Sequence, residues 1–279
     1  MVCAMSHGHG DDAILEVGAS DTATAGLEVR VLGTFRFWAR GSALPAVLGG
    51  SQRLLALLGL HDRALMRARV AGTLWPESSE EHAHASLRSA LARLSRFTRD
   101  AVVVTPLDLC LAPGVTVDIR ESRALAHRLL NPGTVLSEAD LSADAVRALS
   151  VDVLPDWYDD WLLVEAEEWC QLRLHALEAL ADQLLAAGRF GEATGAALAA
   201  VRAEPLRESA RAVVIRVHLA EGNQSEALGE FTRYRKLLQT ELGLEPTLRL
   251  HDLVGGLPTA VTPGDNWWSR CSRAPVTSG

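Results

Sequence analysis

Lysine is almost missing from this chain. Lys236 is the only one among 279 residues, so arginine supplies nearly all the positive charge, and the phosphate-cradling loop G-x-x-x-x-G-K-[ST] has no match. Cysteine is sparse as well. Cys3, Cys110, Cys170 and Cys271 lie far apart with no C-x-x-C pair, a spacing that suggests neither a disulfide framework nor a zinc site and that suits a reducing compartment. No run approaches 18 apolar residues, and no basic stretch precedes an apolar one at the N-terminus. The expectation is a cytoplasmic protein with no membrane span, secretion signal or cofactor loop.

What is present is enough apolar residue, 48% of the chain, for two domains that each bury a core. The net charge of −8 is unevenly spread: residues 1–26 carry −4, residues 27–119 carry +3, and residues 120–279 carry −7. A basic module joined to an acidic one suits a DNA reader attached to a partner-binding domain.

The stretch from Ser78 to Phe97 is the most informative. Ser78 and Glu81 stand in S-x-x-E spacing, and Pro76 separates this segment from the one before, so a helix is expected from about residue 79 to residue 97. At 100° per residue Ala83, Leu87, Ala90, Leu91 and Leu94 share one face, while Ala85, Arg88, Ser89, Ala92 and Arg96 share the other. No acid occurs from His82 to Arg99. Unpaired arginines among small side chains fit a helix that enters a major groove, although a solvated amphipathic helix has the same pattern.

Its neighbours favour the groove. Residues 1–26 read as a flexible tail, in which His7 and His9 lack a third metal ligand nearby. From Leu27, alternation of Val29, Val31, Phe35 and Phe37 with polar residues predicts a strand, followed by short edge strands past Arg40-Gly41-Ser42 in a small antiparallel sheet. A helix capped by Ser51 runs to His61, and a second covers Arg67 to Trp75. Val102 to Leu111 predicts a hairpin turning at Pro106-Leu107-Asp108. Sheet, three helices and hairpin make an OmpR-like winged helix over residues 27–119.

Residues 120–254 read as helical throughout, and residues 255–279, with Trp267-Trp268, read as a C-terminal tail. Within the helical part Leu185, Ala186, Gly188, Glu192 and Ala193 recur as Leu219, Ala220, Gly222, Glu226 and Ala227, an offset of 34 residues. That period belongs to tetratricopeptide repeats, whose helix pairs bury their faces only by stacking. The expected fold is therefore mainly α: a winged helix-turn-helix followed by an all-α tetratricopeptide-like domain.

The order of these elements, with L-x-x-L-W-P, S-L-R-S-A-L-x-R-L, L-P-D-W-Y-D-D-W, P-L-R-E-S and E-L-G-L-E-P, closely resembles the SARP family, the Streptomyces antibiotic regulatory proteins, over residues 27–254. The resemblance implies a transcription activator that binds direct repeats near a promoter and recruits RNA polymerase, often for an antibiotic or other secondary-metabolite cluster; the composition of the acidic helical domain permits both self-association on DNA and contact with polymerase. About 25 residues follow the helical domain, fewer than a nucleotide sensor or phosphopeptide-binding domain needs, so the match is to the small form.

Carried onto this sequence, the resemblance puts Arg88 and Ser89 at base edges, with His82 and Ser86 as further candidates, and Arg93, Arg96, Arg53 and Arg67 at phosphates. The chain departs from the family where Ser95-Arg96 replaces the usual pair of arginines, and its wing carries Asp108 and no basic residue. The alternative is a repeat scaffold whose winged helix does not bind DNA. An enzyme is not expected: Asp156, Asp159, Asp160 and Glu165 lie beside Trp157, Tyr158 and Trp161, a mixture that suits a helix junction better than catalysis.

Overall fold

The computed structural model describes residues 24, 26–45, 47 and 49–257. The N-terminal tail with His7 and His9, most of the C-terminal tail with Trp267 and Trp268, and two of the cysteines, Cys3 and Cys271, lie outside the described residues. No described helix is long and apolar enough to cross a membrane.

The chain divides into two compact units, one up to residue 183 and one from residue 184. The first opens with a hairpin where the sequence suggested a single strand. β1 (Leu27–Arg30) pairs antiparallel with β2 (Arg36–Ala39), in the register Val29↔Phe37, and the chain turns between them through Gly33 at φ +77°. The alternation survives because the two strands face the same way, so Val29, Val31, Phe35 and Phe37 are all buried. β3 (Ser42–Ala43) forms one edge of this sheet. The expected antiparallel sheet also gains a parallel strand, β7 (Val115–Val117), against β1.

Three helices follow: α1 (Gly49–Leu60), α2 (Arg67–Leu74) and α3 (Glu80–Ala92), packed against one another. Ser51 does not cap α1. It lies inside the helix, buried, and its hydroxyl donates to the Ala90 carbonyl of α3 at 2.7 Å. Next to it Gly50 gives Trp75 room, since a Cβ there would meet the ring at 3.0 Å.

The third helix is shorter than expected. α3 starts at Glu80 because Ser79, one residue past the predicted cap, accepts the His82 amide, while Ser78 closes a turn on the Trp75 carbonyl. It ends at Ala92 because Ser95 caps a separate helix, α4 (Arg96–Asp100), accepting the Thr98 amide at 3.4 Å. A serine that can bond its own backbone favours a helix start over a helix interior.

The wing is present, β5 (Val102–Val104) against β6 (Asp108–Leu111). Thr105 holds its turn by accepting the Leu107 and Asp108 amides at 3.2 and 2.8 Å. A third strand, β4 (Leu65–Met66), joins β6 on its other side.

α5 (Asp118–Leu130), α6 (Ala143–Leu149) and most of α7 (Asp160–Ala186) belong to the same unit as the winged helix. An α-helix leaves its last four carbonyls without partners. For α1 two arginines of α5 serve three of them: Arg120 donates to Gly59 and Leu58 at 3.0 and 2.8 Å and also to His61 just past the helix, and Arg123 donates to Leu60 at 2.9 Å. Arg123 then reaches Glu165 on α7 at 2.8 Å.

Asp118 ties α5 to the sheet by accepting the Val31 and Leu32 amides at 2.9 and 3.0 Å, although burial pushes its carboxyl pKa up. Leu154 donates its amide to the Val31 carbonyl, and Phe35 meets Trp157 at 6.1 Å between ring centroids. The segment read as helical throughout thus contains an extended stretch that docks on the sheet.

The second unit contains α8 (Phe190–Ala203), α9 (Glu208–Glu221), α10 (Gln224–Leu242) and α11 (Leu248–Val254). Gly188 and Gly222 both adopt left-handed backbone, φ +71° and +87°, just ahead of α8 and α10, so the 34-residue offset is a structural repeat. Ala227, Phe231 and Tyr234 of α10 pack with Ile215 of α9 and with Leu250 and Val254 of α11.

Glu230 is buried among them. Burial would raise its pKa, but Arg211 and Arg233, the latter at 2.6 Å, hold it below the usual carboxylate value. Replacing Glu230 with Ala leaves Arg211 without its charge partner, and a loss of about 3–5 kcal/mol in thermal or urea unfolding is expected.

Asp140, between α5 and α6, is held by Arg128 at 2.7 Å and by the Ser137 amide and hydroxyl at 3.0 and 2.8 Å, and these lower its pKa to about 2. A depressed carboxylate contributes stability above its unfolded value, about 3.9, and loses it as pH falls through the folded one. Asp140→Asn is therefore expected to cost about 1–2 kcal/mol near neutral pH. In urea titrations the gap from wild type should close as the pH falls through about 2.

Candidate nucleic-acid interface

α3 is positioned by its apolar side. Ala83, Leu87 and Ala90 are buried against the other two helices, which turns Arg88 and Ser89 outward, where both are exposed. Arg93 follows at the end of the helix and Arg96 begins α4, again exposed. The acid-free stretch of sequence has become a face with no carboxylate between His82 and Arg99.

The remaining candidates are less free. His82 is exposed, but its Nδ1 lies 2.7 Å from the Ser79 hydroxyl, so the ring helps to close the helix start. Ser86 is half-buried, and Ser89 donates its hydroxyl proton back to the Ala85 carbonyl at 3.0 Å while its lone pairs face out. Arg67 stands half-buried at the start of α2, on the same side of the unit as Arg88.

Arg53 is elsewhere. Its guanidinium is paired with Asp159, a contact that competes with any phosphate. Asp159 and Glu165, two of the four acids near the start of α7, thus answer arginines of α1 and α5.

Arg99, which sequence reasoning passed over, joins the face. It was hidden because α3 was read as one long helix. With the break at Ser95, α4 brings Arg99 back beside α3, where it donates to the Ala92 carbonyl at 3.2 Å. The signal available was Ser95-x-x-Thr98, a helix-start spacing. Arg67, Arg88 and Arg99 line one recess of 290 Å³ whose apolar wall includes Leu91, Leu94 and Val102. The wing tip contributes apolar surface, Leu107 being 73% exposed, and no cation.

A winged helix with an arginine-bearing third helix, followed by stacked helix pairs, defines a class of bacterial transcription regulators. Comparison with known proteins gives the family. The sequence model of the bacterial transcriptional activator domain matches residues 117–256, half of the chain. Two curated relatives are similar, both called regulatory protein AfsR. The one from Streptomyces coelicolor is 29% identical over 245 residues, and the one from Streptomyces griseus is 30% identical over 241. These alignments cover 84% and 81% of this chain but only 24% of each relative, so the chain spans about a quarter of their length.

A solved structure, Mycobacterium tuberculosis EmbR in complex with a low-affinity phosphopeptide, superposes with a TM-score of 0.62 at 23% identity, over 82% of this chain and 64% of that one, and so shares the fold. The chain belongs to the SARP family, through its bacterial transcriptional activator domain. Family membership also answers the question of catalysis, since these regulators are not enzymes.

Base and phosphate roles separate by experiment. Arg88→Ala is expected to cost about 1–3 kcal/mol of discrimination between a specific and a scrambled site. Arg93→Ala should weaken binding to both equally and lower the slope of log affinity against log salt by about 0.9. Titrations of both variants at several salt concentrations check this, and identical behaviour would refute the division.

Proposed function

We propose that this chain is a sequence-specific DNA-binding transcriptional activator. It binds direct repeats near a promoter through α3, associates with a second copy there, and recruits RNA polymerase through the acidic helical domain. Its target is a secondary-metabolite gene cluster, and it works in the cytoplasm. The observation that carries the reading is the acid-free arginine face of α3 and α4 in a chain whose net charge is −8. A surface that keeps its cations unpaired while the rest of the protein is acidic attracts a polyanion.

The matched family model, a bacterial transcriptional activator domain, supports regulation of transcription, and the repeat stack supports contact with another protein. A second reading, a repeat scaffold with a non-binding winged helix, is favoured by two observations: the wing has no positive charge, and Arg53 is already paired.

Footprinting of the full chain on the promoters flanking its own gene tests the reading. Protection of two repeats in tandem, with transcription from that promoter rising when the chain is added, is the expected result. A chain that protects no site at moderate salt belongs to the scaffold reading.

A further inference from the structure

The recess beside α3 is chemically unusual for a surface hollow. Three guanidiniums, from Arg67 at the start of α2, Arg88 on α3 and Arg99 on α4, share 290 Å³. None has a carboxylate partner among the described residues, and no acid lines the hollow. Like charges so gathered repel, and the repulsion is relieved by an anion between them.

Arg99 is the best held of the three. One N–H is fixed on the Ala92 carbonyl at 3.2 Å, which leaves the other four of the fork for an acceptor. The rest of the lining is apolar, including Leu91, Leu94 and Val102, and fits an apolar group attached to that anion.

We propose that this recess seats one phosphodiester of the DNA backbone together with its deoxyribose, with Arg99 as the anchor. The phosphate oxygens take N–H groups from Arg99, Arg88 and Arg67, and the sugar lies on Leu91 and Val102. The proposal rests on the DNA-binding reading and adds to it a defined phosphate position. It also supplies, from α4, the backbone contact that a wing without cations does not. Arg88 then divides its donors between this phosphate and whatever base edge it reaches.

The test uses the full chain and a footprinted duplex in which single phosphates are replaced in turn by neutral methylphosphonates. Wild type is expected to lose about tenfold in affinity at one position per site. Arg99→Gln removes the charge but keeps a donor for the Ala92 carbonyl. It should lose a similar factor on unmodified DNA, equally for specific and scrambled sequence, and should lose nothing more when that same phosphate is neutralised. Its salt slope should fall by about 0.9. Arg99→Lys should recover part of the affinity, and unchanged circular dichroism and melting temperature for both variants keep the comparison on binding.

If Arg99→Gln shows the wild-type interference pattern and salt slope, the recess is not a phosphate seat, while the DNA-binding reading stands. If wild type binds no duplex, that reading falls and the seat falls with it.

Discussion

The contact between α1 and α3 is the constraint on which the rest depends. A helix can offer arginines to a ligand only if its other face is held firmly, and here that hold comes from Leu87, fully buried, and from the Ser51 hydroxyl bonded to the Ala90 carbonyl. A buried hydroxyl without a partner would cost more than the bond returns, so this one specifies register as well as adding stability. Gly50 extends the same contact, because a side chain there would press on the Trp75 ring, which lies 3.0 Å from the position of its Cβ. The outward direction of Arg88 follows from these three features, two of them invisible as chemistry on the exposed face.

Charge is distributed accordingly. Arginines near the centre of the first unit are neutralised or put to structural use: Arg53 by Asp159, Arg123 by Glu165, Arg120 on backbone carbonyls. Those on α3, α4 and the start of α2 have no carboxylate partner among the described residues. In a chain with one lysine, the choice of arginine everywhere matters physically, because a planar fork can serve two acceptors at once, as Arg123 does with Leu60 and Glu165. The wing is the exception, being strand-forming and apolar at its tip.

Much of this was legible in the sequence. Apolar alternation at Val29, Val31, Phe35 and Phe37 found the sheet, and the recurrence of glycine, glutamate and alanine found the stacked helices, because both patterns follow directly from which side is buried. Boundaries were less legible. Ser95 could equally be read as a polar residue on a continuing helix, and the difference lies in a hydrogen bond to Thr98 that composition does not announce. Ser51 was assigned a local role because caps are local, whereas its partner is 39 residues away. β7 and the extended stretch before Trp157 escaped notice since each is short and takes its order from a distant partner, β1 for the one and Val31 and Leu32 for the other.

The arginine caps on α1 bear on how this protein divides into parts. The activator-domain match begins at residue 117, and a cut there looks natural along the chain. In three dimensions such a cut removes Arg120 and Arg123 and bares three carbonyls at the end of the helix that supports α3, together with that of His61 just past it. It also strips the sheet of its partner at Leu154. The unit of heredity recognised by sequence and the unit of folding are therefore offset in this chain. The winged helix borrows its finish from the module that follows, and a self-sufficient fragment would have to continue past Glu165, into a helix that sequence assigns to its neighbour.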